Sequence, residues 1–143
     1  MKYNSSGYVI RISENALIQM CLNGLEAYIV THKENNEDKS KLETFGLLWG
    51  HESTLTNQKT LYSIELLSID TSAVRKSNSC EPNDLALELK RDIMTSFWPH
   101  YDFLGDFHTH PYNNYRYVRN NKLYLYSEQD RSSIEDFTSS LKL

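Results

Sequence analysis

Apolar and polar positions change period several times along this chain, and each change marks an element. Tyr8 to Ile12 (YVIRI) alternates, which predicts a short strand, and Ser13 then offers a hydroxyl as the N-cap of a helix. Leu17, Cys21, Leu25 and Tyr28 recur at helical spacing, with Ile18, Leu22 and Ile29 widening the same stripe, so the pattern predicts a helix with that face buried. Cys21 is expected in the core on the same ground. Thr31 to Lys41 is polar, charged and aperiodic, and predicts a loop. ETFGLLWG, Glu43 to Gly50, reads as a buried strand whose glycines allow close backbone approach, and LYSIELLSID, Leu61 to Asp70, reads as a second, with HESTLTNQKT turning between them.

A second helix is predicted to begin at Pro82 with Asn83 or Asp84. Ala86, Leu89, Ile93 and Phe97 line one face of it, and Pro99 stops it. YDFLGDFHTHP follows as a strand. YRYVRNNKLYLY has two alternating arms around Asn120 and Asn121, the pattern of a hairpin, and SEQDRSSIEDF reads as a final helix. Strands mixed with helices in this order suit an α/β sandwich, and 143 residues suit one domain with one core.

Composition narrows the class further. With 39% hydrophobic and 24% charged residues the chain is typical of globular proteins, and a formal net charge of −4 argues against the clustered basic surface that nucleic acid requires. No apolar run approaches the roughly 18 residues of a membrane helix, and the N-terminus carries no signal-peptide hydrophobic region, so a cytoplasmic location is expected. The two cysteines, Cys21 and Cys80, give neither a disulfide framework nor a Cys-x-x-Cys motif.

Candidate chemistry sits in GDFHTHPY. In a strand, His108 and His110 share a face and present two imidazoles side by side, a usable half of a metal site. A His-x-His pair alone is a weak signal, because two histidines also fall this close by chance. Ser127 and Asp130, three apart at a helix start, serve equally as cap and capping-box partner, and Glu43 serves equally as a solvated strand end.

Taken together, Glu43, His-Thr-His-Pro at His108 to Pro111, and Ser-x-x-Asp at Ser127 to Asp130 resemble the JAMM signature of the MPN (JAB) domain metalloproteases. The resemblance runs from about Ser13 to Phe137. It implies an α-β-α sandwich with a mixed, curved sheet flanked by helices. It also implies one zinc ion per chain, held by His108, His110 and Asp130 with the fourth position left to water, as catalytic rather than structural sites are built. Glu43 would then act as general base and acid, and Ser127 as donor to the oxyanion. The implied activity is hydrolysis of the amide bond after the C-terminal tail of a ubiquitin-like or sulfur-carrier protein. The competing implication is a non-catalytic MPN scaffold, which has no chemical need for these five residues.

Two departures from the family pattern stand out. Sixteen residues, Pro111 to Tyr126, separate His110 from Ser127, where the JAMM pattern has seven. This stretch carries five tyrosines with Arg116, Arg119 and Lys122, and as a hairpin it suits gripping an extended tail or extending the sheet. The chain also stops soon after its last predicted helix, where MPN domains usually continue. Around the motif, Asp106 has the parity of the histidines and could orient an imidazole. Glu128 is a substitute for Asp130, and His32, His51 and His100 fall in turns or at element ends.

Overall fold

A computed structural model describes residues 7–34, 36–56, 59–123 and 125. The chain divides after Pro111 into two compact units, Met1–Pro111 and Tyr112–Leu143. The first runs β1 (Tyr8–Ile12), α1 (Glu14–Ile29), β2 (His32–Glu34), β3 (Glu37–Lys39), β4 (Phe45–Thr54), β5 (Thr60–Ile69), β6 (Val74–Arg75), β7 (Cys80–Glu81), α2 (Asp84–Phe97) and β8 (Asp102–His108). The described part of the second contains α3 (Tyr115–Asn120). The architecture is mixed α/β.

The main sheet has the order β1-β5-β4-β8. β1 runs parallel to β5, while β4 is antiparallel to both β5 and β8, so the sheet is mixed. Its centre is the apolar run of β4, where Phe45, Leu47 and Trp49 are buried, and Ile64 and Leu67 of the paired β5 are buried as well. Gly50 sits at a register irregularity there, and a Cβ at this position would collide with the Ser63 carbonyl, so close strand approach demands glycine. Trp49 pays no polar penalty, because its indole N–H donates to Ser68 Oγ at 3.1 Å.

Local signals placed the starts of α1 and α2 correctly. Ser13 caps α1, its hydroxyl accepting from the Ala16 amide at 3.2 Å, and Asn83 caps α2 in the same way on Ala86. α2 ends at Phe97, just before Pro99.

The helix faces differ from the pattern. Ala16 and Ala27 are the buried residues of α1, while Leu17, Ile18, Leu22, Leu25 and Ile29 are exposed, as is Cys21. In α2 the buried pair is Leu87 and Met94, and Leu89, Ile93 and Phe97 face outward. Small residues let α1 lie close to β5, so close approach rather than side-chain bulk decides which face turns inward.

Two further expectations are overturned. The polar stretch expected to be a loop at 31–41 holds the small antiparallel pair β2–β3, turned with Asn36 in the left-handed region that asparagine tolerates. The expected hairpin of the tyrosine-rich insertion is instead helical over Tyr115–Asn120, because Asn114 caps it by accepting from the Arg116 and Tyr117 amides. The alternation of Tyr115 and Tyr117 gave the period of a strand, and that local cap outweighs it. The final predicted helix lies outside the described residues.

Candidate functional site

The β4–β8 register builds the site. Phe45 pairs with His108, and continuing the same antiparallel register beyond the strand ends sets Thr44 opposite Thr109 and Glu43 opposite His110. Opposed residues on antiparallel strands share a face with their Cβ atoms about 5 Å apart. Glu43 and the two histidines, far apart in sequence, therefore meet at one end of the sheet.

Thr109 closes this end. Its backbone N–H donates to the Thr44 carbonyl at 3.1 Å, and its hydroxyl accepts from the Thr44 amide at 3.0 Å, taking the place of a carbonyl where the strands diverge. The side chain points away from the imidazoles, as strand alternation requires, and lies against Gly24 of α1. Its role is hydrogen bonding and packing, with no direct chemistry.

Glu43 is held from either side along the backbone. The Leu42 amide donates to the Ala27 carbonyl at the end of α1, and the Glu43 amide donates at 2.9 Å to the Lys76 carbonyl, between β6 and β7. The residue is 7% exposed, an unusual state for a glutamate that serves only as a solvated strand end. One carboxylate oxygen, Oε1, stands 3.6 Å from His110 Nδ1.

The imidazoles meet edge to face, with Nε2 of His108 and Nε2 of His110 separated by 3.1 Å. Two nitrogens bound to one tetrahedral zinc at about 2.0–2.1 Å lie about 3.3 Å apart, so this pair matches one edge of a zinc coordination shell to within a few tenths of an ångström. Without metal the same contact is a hydrogen bond between one protonated and one bare Nε2. Ser127 and Asp130, the remaining members of the expected set, lie outside the described residues, as does Glu128. Among the described residues no group of three or more His, Cys, Asp and Glu side chains is placed to hold a metal ion. His108 and His110 thus fit two zinc positions.

Neighbouring residues that sequence reasoning left aside shape the site from behind. Cys80 in β7 is half-buried, and burial together with the negative charge of Glu43 pushes its thiol up to about 11. It therefore stays a neutral thiol at physiological pH and is a weak nucleophile. Asp70 has no accessible surface; its carboxylate accepts from the Asn83 amide at 2.8 Å and from the Ser72 amide and hydroxyl. Asp70 thereby ties the start of α2 to the end of β5, closing the segment whose Lys76 carbonyl holds Glu43. A sequence signal for it existed, an acid ending an apolar strand with serine two residues on, the pattern of an Asx turn.

The other histidines are elsewhere. His51 and His100 stack with Tyr101 at the opposite end of the β4–β8 pair, and Asp106 is exposed. No helix among the described residues is long and apolar enough to cross a membrane. No protein-family model matches the chain, and no curated protein or solved structure is significantly similar to it.

Proposed function

We propose that this chain is a zinc-dependent peptidase or isopeptidase of the JAMM type on an MPN-like fold, cutting the amide bond after the C-terminal tail of a ubiquitin-like or sulfur-carrier protein. One observation carries the reading: strand register sets a buried glutamate opposite the second histidine of a pair whose Nε2 atoms stand 3.1 Å apart.

His108 and His110 would hold the zinc, with Asp130 as third ligand. Bound zinc supplies Lewis acidity and brings the pKa of a water toward about 7. Glu43, whose backbone is tied through its own amide and that of Leu42, would take up the proton of the attacking water and return it to the leaving amine. Ser127 is assigned as donor to the oxyanion of the attacked carbonyl. Imidazole Nε2 atoms serve as ligands when Nδ1 carries the proton, and a carboxylate near Nδ1 of His110 favours that tautomer.

The test is metal content followed by cleavage. Freshly purified wild type should carry one zinc per chain, and His108→Ala should lose it. Substoichiometric zinc in wild type protein never exposed to chelator would sink the assignment. Glu43→Gln should remain loaded at saturating zinc and fail to cleave ubiquitin-like fusions; persisting cleavage would show that Glu43 is not the base.

A further inference from the structure

We propose that Gly105 positions Glu43 for the reaction, because the β-bulge it permits in β8 turns both histidines onto the glutamate's face. The inference rests on the reading of Glu43 as the base that serves a metal held by His108 and His110.

The bulge is visible in the pairing of β4 with β8. Gly50 pairs with Asp102 and Trp49 with Phe103, but Leu48 pairs with Gly105. One step along β4 therefore spans two along β8, and Leu104 is an extra residue. Side chains alternate faces along a strand, so one extra residue inverts the parity of everything beyond it.

That inversion decides the site. Beyond the bulge Phe45 meets His108, and the same register sets Glu43 opposite His110. If the pairing of Trp49 with Phe103 continued without a bulge, Thr44 would stand opposite His108, Leu42 opposite His110 and Glu43 opposite Thr109. The histidines would still share a face, because they are two residues apart, and the glutamate would stand on the other. Two imidazoles are thus available to a metal in either register, whereas the base is available to it in one.

Both ends of the strand pair are anchored, so the extra residue is absorbed between them. On one side the rings of Trp49 and Phe103 meet edge to face at 5.6 Å, and the Asp102 carboxylate accepts from the Glu52 amide at 3.4 Å. On the other, Thr44 and Thr109 exchange two hydrogen bonds. Leu104 reaches over Gly50, where a Cβ would come within 2.9 Å of its Cδ1, so β4 leaves room for the extra side chain. Gly105 supplies the backbone. Its φ of 147° is open to glycine and strained for an L side chain. A Cβ there would meet nothing within 4 Å among the described residues, so conformation rather than space calls for glycine.

Three variants test this: Gly105→Ala, deletion of Leu104, and the two combined. Deleting Leu104 makes the pairing continuous and keeps Phe45 against His108, so an alanine at position 105 then occupies an ordinary strand site. Nuclear magnetic resonance of the zinc-free full chain reads the register through the cross-strand Overhauser contact between Phe45 and His108. Wild type, the deletion and the combined variant should show it. Gly105→Ala should lose it in favour of a contact between Thr44 and His108. In cleavage of a ubiquitin fusion at saturating zinc, Gly105→Ala should keep one zinc per chain and lose at least about a hundredfold in kcat with little change in KM, as expected when a general base is withdrawn. The combined variant should regain most of that loss.

A Gly105→Ala chain that keeps Phe45 against His108 would overturn the proposal whatever its activity, as would a combined variant no more active than Gly105→Ala. If Gly105→Ala does not fold, the combined variant decides: the Phe45 to His108 contact in it supports the proposal, and its failure to fold as well overturns it. The register is read without zinc and so stands apart from the reaction. A register that shifts while cleavage persists would remove Glu43 as the base, and the positioning role of Gly105 with it.

Discussion

Asp70→Asn separates the structural support of the site from its chemistry. The substitution keeps the shape of the side chain and removes its charge. In the native chain Oδ2 accepts from the Asn83 amide at 2.8 Å, Oδ1 accepts from Ser72 at 2.7 and 3.0 Å, and the Lys90 ammonium lies 3.9 Å away. Burial alone pushes this carboxyl upward. The donors from Asn83 and Ser72, with the charge of Lys90, outweigh it and hold the carboxyl below the ordinary carboxylate range. An asparagine can keep its oxygen toward Ser72, but its NH2 then meets the Asn83 N–H, donor against donor. Losing a charge-assisted hydrogen bond costs about 1.5–3 kcal/mol, and the orphaned N–H raises the expected loss to about 2–4 kcal/mol. Lys90, partly exposed, recovers water and adds little.

Urea unfolding followed by tryptophan fluorescence, repeated from pH 7 to pH 3, measures this. A carboxylate whose folded pKa lies below its unfolded value of about 3.9 stabilises fully above that value and progressively less as pH falls through the folded pKa. The gap between wild type and Asp70→Asn should therefore stay constant from pH 7 to about 5 and narrow below about 4. A gap under about 0.5 kcal/mol at pH 7, or one that does not narrow in acid, would refute the account. Amide exchange at Glu43 should also quicken in the variant, because the segment closed by Asp70 supplies its acceptor.

Two further tests address residues around the site. Cys80 should alkylate along a pH profile centred near 11, and Glu43→Gln should move that profile to lower pH by removing a negative neighbour; a profile indifferent to Glu43 would contradict their proximity. Thr109→Val should cost about 1–3 kcal/mol by orphaning the Thr44 amide, which belongs to a fully buried residue, whereas Thr109→Ser keeps the acceptor and should cost under about 1 kcal/mol. Equal stabilities for valine and serine at this position would show that the hydroxyl does not close the strand pair.

Much of the element order was legible because its signals are local. Ser13 and Asn83 are caps whose side chains act within three residues, and Pro99 terminates a helix by its own covalent structure. Helix faces were not legible. The apolar stripe of α1 has clear helical spacing, and it points outward. Periodicity reports that a face avoids water, not which surface will cover it. The insertion failed for a different reason: a two-residue alternation of tyrosines is short enough for one asparagine cap to override, as the helix at Tyr115–Asn120 shows.

The candidate site was legible in its residue types and opaque in its arrangement. His108 and His110 announce themselves by spacing, but nothing in the sequence says that Glu43 stands opposite His110 rather than His108. That follows from strand register, which is fixed by Phe45 pairing with His108 and locked by the reciprocal bonds between Thr44 and Thr109. A slip of one residue would turn Glu43 to the other face of the sheet and bring Thr44 among the imidazoles. The threonine between the histidines, chemically silent, is therefore what makes the glutamate available to them. The same register brings Oε1 of Glu43 to 3.6 Å from Nδ1 of His110, so carboxylate and imidazole lie side by side.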